Sequence, residues 1–168
     1  MTKRLVVLRH AKSDWPVGVA DTDRPLGRRG KRDAAAAGRW LAEHVGSPDL
    51  VWCSPARRTR ETLELLSDQL DPVPPVQMDA RVYEASLEDL LTVLRQTPKD
   101  HQCVLLVGHN PSVQDLVLTL AERQRGADLA LAETKYPTSG LAVLDIPGKW
   151  ADLGARGASL EEFVVPRG

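Results

Sequence analysis

Residues 4–10 read RLVVLRH, a short apolar run that ends in an arginine and a histidine. A second apolar run, at residues 104–107, is followed by GHNP at residues 108–111. Both runs are typical of buried strands. In an open α/β sheet the carboxyl ends of such strands lie side by side, at the edge where ligands bind. The two runs therefore predict that His10 and His109 face one cleft.

The length and charge of the chain limit its fold and its partners. With 168 residues the chain can bury one sizeable core, and we expect a single domain over residues 1–168. The formal net charge of -1 provides no general positive field, so we expect neither nucleic acid nor a membrane as a partner. The apolar run at residues 5–8 is too short for a signal peptide or a membrane span, which indicates a cytoplasmic protein. Cys53 and Cys103 are expected to be free, buried thiols.

Predicted strands alternate with amphipathic helical segments along the chain. The strands cover residues 4–8, 50–53, 104–107, 141–145 and, at an edge of the sheet, 163–165. The helices cover about residues 30–44, 55–70, a segment after Ser86, and 111–123. Ser54-Pro55 and Asn110-Pro111 each predict an N-cap residue followed by a proline in the first helical position. The alternation predicts an α/β fold, a three-layer α/β/α sandwich with a mostly parallel central sheet and right-handed crossovers.

The pair Arg9-His10 has residue types suited to phosphoryl chemistry. A histidine just after a buried strand can present a ring nitrogen to a cleft, and neutral imidazole is a competent nucleophile toward phosphorus. The planar guanidinium of Arg9 offers paired donors for phosphate oxygens. The pair alone is not specific, because Arg-His dipeptides are common.

A second candidate is Arg58, in the segment SPARRTRET at residues 54–62. The helical register places Arg58 on the same face as Thr62 and the leucines that follow, so its side chain is expected to point inward. Arg57 and Arg60 each precede a glutamate by four residues, which predicts a solvated face with ion pairs. An inward arginine in a first helical turn lies where the helix dipole already favours an anion, so we expect Arg58 to bind phosphate.

The third candidate is His109, which stands beside a predicted helix start. The backbone amides of residues 109, 110, 112 and 113 could bind an anion there, and only Pro111 lacks one. A phosphate dianion would keep His109 protonated, so that the ring could stabilise charge in the transition state. His44 and His101 instead lie at a polar helix end and in a loop, where a solvated or capping role is expected.

Four motifs occur in an order and spacing that resemble the histidine phosphatase superfamily, which has a phosphoglycerate-mutase-like fold. They are RHAKSDW at 9–15, DRPL at 23–26 with Gly30, SP at 54–55 with Arg58 and Thr62, and VGHNP at 107–111. The similarity spans about residues 4–144 and is closest to the short SixA-type phosphohistidine phosphatases. The sequence departs from the superfamily pattern at Ala11, where a glycine is usual, and at Pro16, where many members have an asparagine.

The resemblance implies that the protein is an enzyme, a phosphatase that works without a metal or another cofactor. It implies that His10 is the nucleophile that becomes phosphohistidine, and that Arg9, Arg58 and His109 complete the phosphate pocket. Asn110, beside His109, is a further candidate for phosphate binding. Glu84 lies at about the position of the family's general acid, although a glutamate that begins a polar helix explains this residue equally well. An imidazole leaving group needs less help from an acid than an alkyl oxygen does.

Three alternatives stay open at this point. Cys53 and Arg58 could belong to a cysteine phosphatase, but the spacing is one residue short of that loop, and Pro55 lacks an amide donor. A metallohydrolase would need carboxylates beside the two histidines, for example Asp14, Asp21 or Asp23. A phosphate-binding or phosphoprotein-docking module would use the same pocket without turnover.

Two substrate classes fit the phosphatase hypothesis: a phosphorylated protein, such as a phosphohistidine domain, and a small phosphorylated metabolite. A chain of 168 residues has little room for the insertions that cover the site in mutases, which favours an exposed site and a large substrate. A basic cluster at the predicted start of the first helix could steer an acidic partner, or could simply be solvated; it consists of Arg24, Arg28, Arg29, Lys31 and Arg32.

Overall fold

The computed structural model describes residues 2–122 and 124–168. Its centre is a sheet of six strands: β1 (Lys3–Arg9), β2 (Leu50–Cys53), β3 (Val76–Met78), β4 (Cys103–Gly108), β5 (Leu141–Ile146) and β6 (Ser159–Val164). The helices are α1 (Arg28–His44), α2 (Arg57–Ser67), α3 (Leu87–Arg95), α4 (Ser112–Leu120) and α5 (Ala127–Thr134). Within the described residues, no helix is long and apolar enough to cross a membrane.

The strand order in the sheet is β3-β2-β4-β1-β5-β6. The three strand pairs from β3 to β1 are parallel. The pairs β1–β5 and β5–β6 are antiparallel. The apolar runs at residues 4–8 and 104–107 lie in the neighbouring strands β1 and β4, whose register pairs Arg9 with Gly108. The predicted α/β fold with a mostly parallel sheet is confirmed.

Helices cover both faces of the sheet because the central strands are apolar on both sides. On one face, Val6 and Leu8 pack in a cluster with Leu41 of α1 and Leu66 of α2. On the other face, residues that alternate with these along β1 pack in a separate cluster with α3 and α4. The result is the predicted three-layer sandwich, with the carboxyl ends of β1 and β4 open at one edge.

Several helix boundaries differ from the sequence prediction. Helix α2 begins at Arg57 with Ala56 as its N-cap, not at Pro55 with Ser54 as the cap. The Ser54 hydroxyl does accept a hydrogen bond from the Ala56 amide and also contacts the His109 ring, but the Ala56 backbone is not helical, with φ of -58° and ψ of 143°, so the helix begins only at Arg57. The helix also ends at Ser67, before the predicted residue 70.

Helix α4 shows a similar shift. Pro111 is the N-cap of this helix, and Ser112 is its first residue, so the proline is not in the first helical position as predicted. The helix ends at Leu120, and Arg123, the predicted end, lies outside the described residues. The prediction after Ser86 is confirmed, since Ser86 caps α3 through a reciprocal hydrogen-bond pair with Asp89.

Besides three 3-10 turns, at Asp21–Asp23, Ala80–Val82 and Trp150–Asp152, two short elements were absent from the sequence prediction, and a third is longer than predicted. All three residues of β3 are exposed, so no apolar alternation marks this edge strand. In α5 only Ala132 is buried, and its apolar residues do not form one face. Strand β6 starts at Ser159 rather than near Phe163. The sequence prediction missed its first residues because most of them are polar and face solvent.

Candidate active site

The ends of β1 and β4 bring His10 and His109 together. The His10 amide donates to the Gly108 carbonyl at 3.0 Å, and the two imidazole rings have centroids 5.2 Å apart. The rings border a cavity of about 270 Å³, which we call the histidine pocket. It is lined by Arg9, His10, Lys12, Ser13, Trp15, Arg24, Arg58, His109, Asn110 and Thr138. The structure thus brings together five of the six predicted site residues, and Glu84 does not line the pocket.

The His10 ring is held in one tautomer by a backbone contact. Its Nδ1 lies 2.8 Å from the Ala11 carbonyl oxygen, which can only accept, so Nδ1 carries the proton and donates it. The Ala11 amide in turn donates to Thr62 Oγ1 at 3.0 Å, which anchors this turn to α2. Burial lowers the pKa of His10 to about 3, against the effect of the Ala11 hydrogen bond. At neutral pH the ring is therefore uncharged, with a lone pair on Nε2.

Two arginines border the pocket beside the His10 ring, the partly buried Arg9 and the buried Arg58. Arg9 donates from Nη1 to the Tyr136 carbonyl at 3.0 Å, and burial followed by the charge of Arg58 lowers its pKa. Arg58 is only 6% exposed, as its helical register predicted. It donates from Nη1 to the Asp21 carbonyl at 2.7 Å and from Nη2 to the Asp21 carboxylate at 3.2 Å. The Nε atoms of both arginines are buried without a partner among the described residues, which leaves two charged donors unused.

His109 also presents an unused ring nitrogen. Its Nε2 lies 2.8 Å from Ser54 Oγ, and its Nδ1 is buried without a hydrogen-bond partner among the described residues. If the Ser54 hydroxyl donates to Nε2, the ring proton resides on Nδ1, where it can be donated to an anion. Burial, followed by the charge of Arg58, lowers the pKa of His109 to about 4. The protein alone thus favours a neutral ring, and a bound dianion would act in the opposite direction.

The start of α4 offers fewer free amides than the sequence suggested. The Val113 amide donates to the His109 carbonyl at 3.0 Å, so it is not available to an anion. Asn110 donates from Nδ2 to the Tyr136 carbonyl at 3.0 Å, and its Oδ1 is buried without a partner among the described residues.

A hub of polar contacts around Asp21 was missed by the sequence reasoning. Its carboxylate accepts from Arg24 at 3.2 Å, from Arg58 at 3.2 Å and from the Tyr83 hydroxyl at 2.6 Å. The Tyr83 hydrogen bond is the main reason why the pKa of Asp21 falls to about 2, and the same bond raises the pKa of Tyr83 to about 12. The Arg24 guanidinium also lies 3.2 Å from the centroid of the Trp15 ring. The only local signal was the spacing of three residues between Asp21 and Arg24.

Two residues of the segment before β5 support the strand end of β1. The Ser139 amide donates to the carbonyls of Arg9 and His10, both at 3.1 Å, from a left-handed backbone with φ of 62°. The Tyr136 hydroxyl donates to the Val7 carbonyl at 2.6 Å, and its own carbonyl accepts from Arg9. Both contacts join residues more than a hundred positions apart in the chain, so no local pattern could reveal them.

Glu84 is exposed and does not line the histidine pocket. Its backbone is left-handed, with φ of 52°. The neighbouring residue Tyr83 faces the site instead, with its ring edge against the His109 ring at 5.6 Å between centroids. The general-acid role of Glu84 stays a prediction.

The remaining polar candidates are placed much as the sequence suggested. Arg57 pairs with Glu61 at 3.5 Å, whereas Arg60 donates to the Pro55 carbonyl rather than to Glu64. His44 is exposed at the end of α1, where its Nδ1 bonds the Trp40 carbonyl. His101 lies in the loop before β4, away from the histidine pocket.

Contacts of Cys53 and Asp21 bear on two of the alternatives. The Cys53 thiol is fully buried, and burial raises its pKa to about 12, so a nucleophilic thiolate is strongly disfavoured. Asp21, one of the three carboxylates that the metallohydrolase hypothesis offers, is engaged by Arg58, Arg24 and Tyr83. Within residues 2–122 and 124–168, no group of three or more potential ligands is arranged to hold a metal ion.

Comparison with known proteins gives consistent matches. An uncharacterized protein of Mycobacterium tuberculosis (strain H37Rv) is 40% identical over 163 residues, covering 95% of this chain and all of the relative. A solved structure provisionally assigned as the phosphohistidine phosphatase SixA from Nakamurella multipartitia is 31% identical. It superposes with a TM-score of 0.88, covering 99% of this chain and 97% of the other.

Two further matches concern the fold and the family. The protein histidine phosphatase SixA, solved as a tungstate complex, shares the fold with a TM-score of 0.80 at 19% identity, covering 97% of each chain. The family model described as histidine phosphatase superfamily (branch 1) matches residues 5–100. The predictions of a phosphatase and of a SixA-type similarity are confirmed, and the chain belongs to the histidine phosphatase superfamily, branch 1.

Proposed function

We propose that the protein is a phosphohistidine protein phosphatase that works through a phosphoryl intermediate on His10. One observation carries the proposal: a buried, neutral His10 with its lone pair on Nε2 lies among three unused donors. These donors are Nε of Arg9, Nε of Arg58 and Nδ1 of His109. Buried donors without partners are costly unless a ligand satisfies them, and a phosphoryl group has the matching oxygens.

In the first step, His10 Nε2 attacks the phosphorus atom of the substrate. A new P–N bond to His10 forms, and the P–N bond to the substrate imidazole breaks in line with it. The bonding pair stays on the departing nitrogen, which takes a proton from solvent. Arg9, Arg58 and His109 donate to the phosphoryl oxygens and stabilise their charge in the transition state.

In the second step, water attacks the phosphoryl group on His10. The P–N bond to His10 breaks, inorganic phosphate is released, and the ring returns to its neutral form. The His10–Ala11 hydrogen bond keeps Nδ1 protonated throughout, so the same Nε2 is presented for the next turnover. Glu84 could activate the water or protonate a poor leaving group, but an imidazole needs little such help.

The surroundings of the pocket support a protein substrate. Trp15 lines the histidine pocket and is 74% exposed, and Val17, farther along the same loop, is fully exposed. Exposed apolar side chains beside a small polar pocket suit contact with a protein surface around the phosphorylated residue. The similarity to the structure assigned as a phosphohistidine phosphatase also supports this substrate class.

The test measures phosphate release in the presence of EDTA from a phosphohistidine protein and from p-nitrophenyl phosphate. Wild type should turn over the phosphohistidine protein with the higher kcat/KM, and His10→Ala should lose the activity on both substrates. His44→Ala, which removes an exposed histidine outside the pocket, should keep full activity. Rapid acid-free quenching of wild type should trap phosphohistidine at position 10 at a rate that matches turnover.

The outcomes separate the remaining alternatives. A higher kcat/KM on p-nitrophenyl phosphate than on the phosphohistidine protein would favour a small-molecule phosphomonoesterase that uses the same residues. Phosphate binding without turnover of either substrate would favour a binding module. Undiminished activity in His10→Ala would overturn the histidine-nucleophile mechanism itself.

A further inference from the structure

A second cavity, of about 250 Å³, adjoins the histidine pocket. We call it the basic pocket. It is lined by Arg9, Lys12, Arg29, Lys135, Pro137, Thr138 and Arg167, and three of these residues, Arg9, Lys12 and Thr138, also line the histidine pocket. All five of its charged lining residues are cationic.

The Asp33 carboxylate holds two arginines of the basic pocket, Arg29 and Arg167, in position. This carboxylate is only 1% exposed, and it accepts from Arg29 Nε at 3.3 Å and from Arg167 Nη1 at 3.0 Å. The Gly168 amide donates to its other oxygen at 3.0 Å, and Arg167 also donates to the Thr138 carbonyl at 3.0 Å. The two guanidinium groups are thereby held at the pocket, although their positions in the chain are far apart.

The positive charge of the basic pocket exceeds what its neighbours neutralise. Asp33 is the carboxylate that pairs with Arg29 and Arg167. Within the described residues, Lys12 and Lys135 form no ion pair, and both side chains are exposed. Cations collected in a concave site attract anions more strongly than the same cations on a flat surface, because the field is focused there.

We propose that the basic pocket binds a second anionic group of the substrate, a carboxylate or a phosphate, on the molecule whose phosphoryl group enters the histidine pocket. The proposal rests on the proposed function and adds a determinant of specificity to it. Arg9 and Lys12 border both cavities, so a single ligand can occupy them together. On a phosphohistidine protein, the group is an acidic side chain near the phosphorylated histidine.

The first experiment compares phosphohistidine peptides that differ only in a Glu or a Gln placed at successive positions beside the phosphohistidine. At the best position wild type should prefer the Glu peptide in kcat/KM by roughly three- to tenfold, the range expected for a partly exposed charge-assisted contact. Lys135→Gln and Arg167→Gln should each reduce this preference. Arg28→Gln removes the same charge from an exposed residue at the start of α1 that does not line the pocket, and should keep the preference.

The second experiment measures binding without turnover, by calorimetric titration with inorganic phosphate and with inorganic tripolyphosphate. Wild type should bind tripolyphosphate more tightly, and Lys135→Gln should reduce that advantage while leaving the affinity for phosphate unchanged. The proposal is overturned if the advantage survives in both Lys135→Gln and Arg167→Gln, or if Arg28→Gln reduces it equally. Circular dichroism and the melting temperature of each variant exclude unfolding as the cause.

The two experiments also separate the source of the anion from the proposed function. Discrimination between the Glu and Gln peptides identifies a carboxylate of a protein substrate. A tripolyphosphate advantage without peptide discrimination identifies a second phosphate of a small substrate. Failure of every substrate to turn over, together with the expected binding pattern, would refute the proposed function and leave the basic pocket as an anion site.

Discussion

The histidine pocket has two walls that are built in different ways. Arg9, His10 and His109 form the strand-end wall, where a parallel strand pair fixes the backbone and the two rings are buried. Trp15 and Arg24 line the loop wall, and Asp21 and Tyr83 support it. This wall has no strand ladder behind it and is held by side-chain hydrogen bonds, among them those of Arg24 to Ser13 and to Asp21. Trp15 and Asp21 are exposed, whereas no residue of the strand-end wall is.

We therefore expect the two walls to have different roles, one in the chemical step and the other in substrate binding. Groups that stabilise a transition state must stay fixed during the reaction, and the strand-end wall supplies that rigidity. Groups that admit and orient a large substrate benefit from exposure and local adjustability, which the loop wall supplies. Substitutions on the strand-end wall should therefore affect the chemical step, and those on the loop wall should affect binding.

The largest effect that would sharpen this contrast is expected for His109→Gln. The substitution removes the unpartnered Nδ1 donor without adding charge, and losing one such donor costs about 100- to 1,000-fold in kcat. Single-turnover rates on a phosphohistidine protein measure it directly. Ser54→Ala, which removes the partner of Nε2 and the acceptor of the Ala56 amide but leaves Nδ1 in place, should cost clearly less. A rate for His109→Gln within about fivefold of wild type would mean that the strand-end wall does not perform the chemistry.

The strand-end wall should also make stability sensitive to acid. The pKa of His10 is lowered to about 3 and that of His109 to about 4, so between these values and the ordinary histidine pKa only the unfolded chain takes up the protons. The free energy of unfolding therefore decreases as the pH falls, by on the order of a few kcal/mol between pH 7 and pH 4. Chemical denaturation across this range should show a smaller loss of stability in His10→Gln/His109→Gln. An equal loss in wild type and in this double variant would contradict the inferred desolvation of the two rings.

The two walls also differ in how far the sequence revealed them. His10 and His109 follow apolar runs of a few residues, and neighbouring parallel strands place such ends together, so local pattern and a general rule of α/β sheets were sufficient. The inward direction of Arg58 followed from its helical register. The contact of Tyr83 with Asp21 and those of Ser139 with the end of β1 join distant segments, and nothing in the local sequence indicates them.

The sequence also misplaced two helix starts by one or two residues. Ser54 and Pro55 match the preferred residues for a helix start, but the Ser54 hydroxyl contacts His109, which comes from another part of the chain. The hydroxyl also accepts from the Ala56 amide, yet the Ala56 backbone is not helical, so the helix begins at Arg57. Val113, predicted to offer a free amide, instead donates it to the His109 carbonyl four residues earlier, which is a local backbone hydrogen bond.

On the loop wall, Asp21→Asn should increase the affinity for inorganic phosphate by roughly three- to tenfold. The Asp21 carboxylate forms an ion pair with Arg58 and partly neutralises its positive charge. Without the negative charge of Asp21, Arg58 attracts a phosphate anion more strongly. Product inhibition measures the effect. Asp23→Asn, in the same short 3-10 turn, serves as the matched control and should change little. Weaker phosphate binding in Asp21→Asn would show that this carboxylate organises the site more than it competes for Arg58.

A smaller effect, selective for large substrates, is expected for Trp15→Ala. Loss of the exposed indole should raise KM for a phosphohistidine protein by about three- to fivefold, since one partly buried contact at the edge of an interface contributes that much. The kinetics with p-nitrophenyl phosphate should stay near those of wild type. An equal change on both substrates would mean that Trp15 acts only by holding Arg24 in the pocket.

The smallest effect is expected at Glu84, and it defines where the loop wall ends. Because the carboxylate is exposed and does not line the pocket, Glu84→Gln should change kcat on a phosphohistidine protein by less than about threefold. Glu84→Gly should keep that activity and raise the melting temperature, since glycine adopts the φ of 52° without the steric cost that a side chain bears. A loss of more than about tenfold in Glu84→Gln, with normal activity in its Asp89→Asn counterpart on α3, would assign proton transfer to Glu84. The loop wall would then take part in the chemical step, and the division between the two walls would no longer hold.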